Sequence, residues 1–155
     1  MKAKLTLGYW GVKSYENDDA DDALDAAFER VHGELYEQLM DDRNPLSFEQ
    51  VQKRLADGRT LVASVQALEE MIDAKLTDDP EAWDDAARLA FAGIVVRHAE
   101  LGVAIPEELR LQAILWLQTE EISWDDPTRR KPRREKELAH LRRLGARRAG
   151  ADKVG

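Results

Sequence analysis

The stretch PEAWDDAARLAFAGIVVRHAEL, residues 80–101, decides the fold. Trp83, Ala87, Ala90, Phe91, Ile94, Val95 and Ala99 cover more than one stripe of a helix with 3.6 residues per turn. A helix apolar over that much of its circumference is surrounded by other helices, so this segment is expected at the centre of the domain. Asp79 is placed to cap it and Pro80 to take its first position. Gly102 follows as its stop.

Working outward, the same period recurs on both sides. A first helix is expected from about Asp18 to Asp41, with Leu24, Ala27, Phe28, Val31, Leu35 and Leu39 on one stripe, ending before Pro45. Ser47 and Gln50 form an S-x-x-Q capping box that opens a second helix, and Gly58 suits its C-terminal cap. A third helix covers about Thr60 to Ala74, with Leu61, Val65, Leu68 and Ile72 facing inward. Pro106 opens a fifth, with Glu107 and Glu108 in its first turn and Leu109, Ala113, Trp116 and Leu117 on its buried side. ISWDDPTRRKPRR, residues 122–134, reads as a linker between Pro127 and Pro132. A last helix from about Arg133 to Arg148 carries the thin stripe Leu138, Leu141 and Leu144. The fold class is all-α: a bundle of about five helices with an appended basic C-terminal helix.

The totals agree. A chain of 155 residues is the size of one domain. With 43% hydrophobic residues it has enough apolar surface for a core, and 35% charged residues keep it in solution. Cysteine is absent, which excludes disulfides, thiol catalysis and cysteine zinc sites. No window approaches the roughly 20 apolar residues of a membrane span. MKAKLTLGYWG, residues 1–11, lacks the apolar run of a signal peptide, so a cytoplasmic location is expected.

Charge divides the chain in two. Residues 1–127 hold 12 basic and 28 acidic side chains, a net −16, and form an acidic helical domain. Residues 128–155 hold 11 basic and 3 acidic ones, a net +8, and form a basic linker, helix and tail. The acidic body opposes phosphate backbones, so no specific nucleic-acid binding is expected. The tail is expected to meet the acidic body, a partner protein or a second copy of the chain, with Leu138, Leu141 and Leu144 as contact residues.

Chemistry-bearing residues concentrate in SYENDDADDALD, residues 14–25, with six carboxylates and one asparagine. The stretch lacks the glycine and closing glutamate of a calcium loop. Asp18, Asp22 and Asp25 share one helical face, and Asp21, Asp25 and Glu29 another; both are expected to be wet. Asn17 or Asp18 is placed to cap the first helix, with the acids behind it complementing the helix dipole. The competing reading is a divalent-ion site with Asp18, Asp22, Asp25, Glu29 and His32 as candidate ligands. Glu29 to His32 and Glu137 to His140 also repeat the Glu-x-x-His spacing of carboxylate-bridged metal bundles. Arg133, four residues before Glu137, is the better-placed partner for that carboxylate, and further arginines crowd the same helix. His98 lies within the most apolar helix, where a satisfied core histidine competes with a shifted base. Its neighbour Arg97 is placed to reach an acid on another helix. Trp83 and Trp116 fit a core; Trp10 and Trp124, at element ends, are candidate interface residues. There is no glycine-rich phosphate loop, no G-x-S-x-G and no H-E-x-x-H, and no cofactor is expected.

YWGVKSYENDDADDALD, residues 9–25, resembles the opening of a family of small bacterial proteins, domain of unknown function 4259. Trp10, Gly11, Tyr15, Asn17, Asp18, Asp19, Ala20 and Asp22 match its pattern of Trp-Gly, an aromatic, then Asn-Asp-Asp-Ala and an acid. The resemblance implies a helical fold and a bacterial origin, and it lends no activity. It also implies that Asn17 and Asp18 tie the chain back to the start of the first helix, with Trp10 packed over it. The function these observations favour is non-enzymatic protein–protein interaction or regulation. The alternatives are an immunity-like inhibitor with an acidic binding face, and a metal-dependent hydrolase.

Overall fold

A computed structural model describes residues 11–121 and 127–154. Its regular elements there are all helical: α1 (Asp18–His32), α2 (Glu34–Leu39), α3 (Phe48–Leu55), α4 (Gly58–Ile72), α5 (Asp85–Glu100), α6 (Glu107–Gln118) and α7 (Pro127–Val154), with one 3-10 turn at Pro80–Ala82. Trp10 and Trp124, the two expected interface tryptophans, lie outside the described residues. No helix among the described residues is long and apolar enough to cross a membrane.

α5 is the central element, as its composition requires. Between Ala86 and Ala99 every residue is buried except Arg88. α5 touches α1, α4, α6 and α7. Ile94, Phe91 and Val95 are fully enclosed. Trp83, Phe91 and Trp116 form an aromatic cluster, with edge-to-face contacts at 6.1 and 5.2 Å between ring centres and a tilted Trp83–Trp116 pair at 5.6 Å. Such geometry places positive ring edges on negative faces.

Several boundaries differ from the sequence reading, each for a local reason. The expected first helix, 18–41, divides at Gly33, whose positive φ of 49° closes α1 and redirects the chain into α2. The stripe therefore breaks, and Leu35 is left 41% exposed. Gly58 is not a C-terminal cap; it is the first residue of α4. Asp57 caps that helix, and its side chain accepts from Thr60 N–H while the Thr60 hydroxyl accepts from Asp57 N–H. Pro80 opens only the 3-10 turn, and Asp79 makes no side-chain cap there. α5 starts afterwards, capped by Asp84 through Ala87 N–H. The capping box at Ser47 and Gln50 forms as expected.

The largest correction concerns the basic segment. It is helical from Pro127, not from about Arg133, so the expected linker supplies the first turns of α7. Pro127 suits the opening position, where its missing N–H has no partner to lose. Leu138 is 3% exposed and Leu141 is fully buried, both within the same hydrophobic cluster as Ile94 and Phe91, with Leu144 packed at its edge. The expected contact leucines thus complete the chain's own core, and the change of charge near residue 127 is not a break in packing.

Ile94 has no exposed surface at the crossing of several helices. Replacing it with alanine removes its contacts and leaves a cavity, so Ile94→Ala should lower unfolding free energy by about 2–5 kcal/mol in urea titration. A loss under about 0.5 kcal/mol would be the behaviour of a surface position.

Candidate functional site

The site is built where the segment before α1 crosses α5 and α7. Gly93 makes the crossing possible: a Cβ there would stand 2.3 Å from the Ser14 carbonyl oxygen and 2.8 Å from the Tyr15 Cα. An alanine gains roughly 0.5–1 kcal/mol in helix propensity. Overpacking against backbone costs more, typically about 1–3 kcal/mol. Glycine is therefore required by this close approach.

Asn17, not Asp18, then caps α1. Its Oδ1 accepts from Ala20 N–H at 2.9 Å, and its Nδ2 donates to the Ser14 carbonyl at 2.8 Å. The amide needs both ends, so an aspartate would not replace it. This is the tie-back that the opening motif implied.

Glu137 of α7 lies beneath the segment with no exposed side-chain surface. Its Oε2 accepts from Ser14 N–H at 3.0 Å and from the Ser14 hydroxyl at 2.9 Å. Arg130 donates to its Oε1 at 2.9 Å and Arg133 to its Oε2 at 3.2 Å. Arg130, itself fully buried, also grips Glu120 with two bonds at 3.1 and 2.7 Å and donates to the Val12 carbonyl at 3.0 Å. Arg133 continues the network to Glu100 of α5.

Tyr15 extends it further. Its hydroxyl donates to Glu100 at 2.6 Å, and Arg97 lies over its ring, 5.1 Å from the centre. Burial, with the Glu100 carboxylate beside it, raises the Tyr15 phenol well above its ordinary value. Arg97 reaches from α5 to α3, donating to Gln52 at 2.6 Å and to both oxygens of Glu49 at 3.2 and 2.7 Å. The bond from Arg97 holds Glu49 below the usual carboxylate range. Lys13, Tyr15, Asp21, Phe48, Glu49 and Arg97 line a cavity of about 190 Å³ at this corner.

His98 is the satisfied core histidine. Its Nδ1 lies 2.9 Å from the Ile94 carbonyl, which only accepts, so Nδ1 carries the proton. Nε2 then accepts from the Thr60 hydroxyl at 2.9 Å. Burial pushes its pKa down to about 4.

The acids of α1 are less wet than expected. Burial, followed by repulsion from Asp22, Asp18 and Asp84, raises Asp19 to about 6. Burial, then Asp21 and Asp22, raises Asp25 to about 6 against the opposing bond from Tyr36. Asp18, Asp22 and Glu29 remain exposed.

The candidate metal ligands do not converge: among the described residues no three His, Asp or Glu side chains form a group that could hold an ion. His32 Nε2 sits 2.7 Å from the Leu55 carbonyl and 3.4 Å from Asp57. Glu137, the counterpart of Glu29 in the second Glu-x-x-His, is enclosed by arginines. The two repeats are unrelated, and the second is a buried ion cage where a surface pair was expected.

The sequence reading did not foresee Ser14, Arg130 or Gly93. A signal existed for Arg130: with Glu137, Leu141 and Leu144 it falls on one face of a helix, seven, eleven and fourteen residues along. No comparable signal exists for Ser14, 123 residues from Glu137.

No family model, no curated protein and no solved structure matches the chain. The likeness to domain of unknown function 4259 therefore stands on the residues quoted from 9–25 alone.

Removing one member of a buried ion pair leaves the other charge uncompensated. Glu137→Ala should cost about 3–5 kcal/mol in urea unfolding. Exposed Glu135→Ala, two residues away, should stay within about 0.5 kcal/mol. Equal effects would mean that Glu137 is solvated.

His98 sets an acid limb. Its folded pKa lies below the unfolded value near 6.5, so the unfolded chain binds the proton more readily between about 6.5 and 4. The stability this group contributes is complete above that window and is lost as pH falls through it, up to about 3 kcal/mol. Asp19 and Asp25 act oppositely, since their raised carboxyls favour the folded state as pH falls. A difference measurement cancels them. The stability advantage of wild type over His98→Gln should shrink by about 3 kcal/mol between pH 7 and pH 4 in urea titrations; a constant difference would show His98 to be solvent-equilibrated.

Proposed function

We propose that the protein is a non-enzymatic binding protein whose contact with a partner protein is the acidic face of α1, in the manner of an immunity-like inhibitor that masks a basic surface. The observation that carries this reading is the contrast in carboxylate environments. Glu49, Glu100, Glu120 and Glu137 each face an arginine. Asp19 and Asp25 are raised to about 6 by burial and by acidic neighbours, with no cation among the causes. A basic partner surface would relieve that repulsion, and complementary potentials steer encounter and reject like-charged competitors. The inward-facing arrangement of the remaining ionisable groups supports the same reading. His98 is enclosed with both ring nitrogens engaged, and Arg97 and Arg130 are held by carboxylates. The likeness of residues 9–25 to domain of unknown function 4259 belongs to this reading, because Asp18, Asp19 and Asp22 fall within the shared motif.

The test is affinity capture from a bacterial lysate on immobilised wild type and on Asp18→Asn, Asp21→Asn, Asp22→Asn. A basic protein should be retained by wild type alone, elute with salt and release between pH 7.5 and pH 5.5 as Asp19 and Asp25 take up protons. Identical retention on both columns, or retention indifferent to pH, would refute an acidic contact face.

A further inference from the structure

Arg88 is the one residue between Ala86 and Ala99 of α5 that is not buried, and among the described residues its guanidinium makes no ion pair. Its Nε is shielded from solvent and lacks a hydrogen-bond partner. Its guanidinium carbon lies 5.5 Å from the centre of the Trp116 ring, a cation–π stack. The other arginines sunk into this fold behave differently. Arg97, Arg110, Arg130 and Arg133 each hold a carboxylate, and Arg134, whose Nε is likewise unpartnered, donates to the Glu120 carbonyl and lies 3.9 Å from Glu135. In a body carrying −16, an arginine without one is an exception that invites an anion.

Arg88 also lines a cavity of about 390 Å³, remote in sequence from the acidic face of α1. Its other walls include Pro80, Glu81, Gln112, Leu115 and Trp116. Leu115 is 50% exposed at its mouth. The cavity is an open groove whose apolar and aromatic walls carry a few polar groups to orient a ligand. Behind Trp116, the Trp83 indole Nε1 is also buried without an acceptor.

We propose that this cavity binds a small carboxylic acid with an apolar body. The carboxylate pairs with the Arg88 guanidinium on its stacked platform, in the paired geometry that suits a fork of N–H donors. The apolar body lies on Leu115, Pro80 and the edge of Trp116. Gln112 supplies an amide beside the carboxylate. Glu81 on the rim disfavours ligands with a second anionic group, so the preferred class is a monocarboxylate. This site is independent of the partner contact proposed for α1.

The experiment uses the full-length chain, uniformly 15N-labelled, at physiological salt, with the tryptophan indole N–H resonances as readout and Trp116→Phe to assign the signal. Three probes are titrated to millimolar concentration: phenylacetate, its uncharged analogue phenylacetamide, and acetyl-Ala-Ala-Leu with a free C-terminal carboxylate. Phenylacetate should shift the Trp116 indole signal saturably while phenylacetamide does not. Arg88→Gln should weaken that binding by about tenfold or more, the size expected for a hydrogen bond to a charged group. Arg88→Lys, which keeps the charge and loses the fork, should fall between. It also serves if the glutamine variant does not fold. Equal binding of acid and amide, no saturable shift with phenylacetate, or unchanged binding by both Arg88 variants would overturn the proposal. A response to the peptide alone would overturn it too, by making the cavity a docking groove for a protein terminus.

Discussion

The buried pairing of Glu137 with Arg130 is the constraint on which the rest of the structure depends. Both side chains have no exposed surface. Taking such ions out of water costs several kcal/mol each, and their attraction repays this only when every donor and acceptor is filled. The fold meets that condition with residues from distant parts of the chain: Ser14 and Val12 from the opening segment, Glu120 after α6, and Arg133 one turn before Glu137. The net gain over an apolar core of the same shape is small. The loss in any arrangement that leaves one charge alone is large. We therefore read the cage as the device that selects one position of α7 over its neighbours, which leucine contacts alone, being non-directional, do not select.

How the charge halves of the chain meet follows from the same contacts. An attraction between +8 and −16 fades beyond about 8 Å at physiological ionic strength and fixes no orientation. In the structure the work is done by Arg130, Arg133 and Arg134, all in the first turns of α7, the last through a bond to the Glu120 carbonyl at 3.0 Å. Arg110 approaches α7 from the other side: its Nη1 donates to the Leu141 carbonyl, and its guanidinium occupies the space a side chain at Gly145 would need. Leu138 and Leu141 lie between these two polar anchors. Net charge brings the segment near, and a few filled hydrogen bonds decide where it rests.

That division explains what was legible in the sequence. The central position of α5, the Asn17 and Ser47 caps, the Arg133–Glu137 pair and the core roles of Trp83, Trp116 and His98 are local or compositional features, and they follow from helical spacing. That Arg97 reaches an acid on another helix is expected from the sequence, but its partner Glu49, 48 residues away, is not. The boundaries misplaced at Gly58 and Pro80 share a cause. A glycine or proline marks a break without saying which element owns it. At Gly58 the deciding cue was the Asp57–Thr60 box, and at Pro80 it was Asp84 four residues further on. The cage was hidden because a charged residue is assigned to solvent by default. Only the fall of Arg130 and Glu137 on the leucine face of α7 argued against that, and the Ser14 contact spans a separation that no periodicity reports.

The acids of α1 pose the opposite case, charge that the fold does not neutralise. A helix dipole rewards Asp18, Asp19 and Asp21 in the first turn by about 0.3–1 kcal/mol each, and the reward is gone within that turn. Asp25 lies two turns in and collects none of it. Burial and its neighbours raise its carboxyl to about 6, so its ionised form is disfavoured at neutral pH by the very structure that holds it. The bond from Tyr36 opposes that shift without cancelling it. An asparagine at position 25 would keep a hydrogen bond and shed the repulsion, so folding alone supplies no reason for an acid there. A cationic surface laid along α1, as proposed above, would supply that compensation. Because such a surface favours the ionised forms of Asp19 and Asp25, its arrival would release protons near pH 6. That ties any contact at this face to pH by the same linkage that ties His98 to stability.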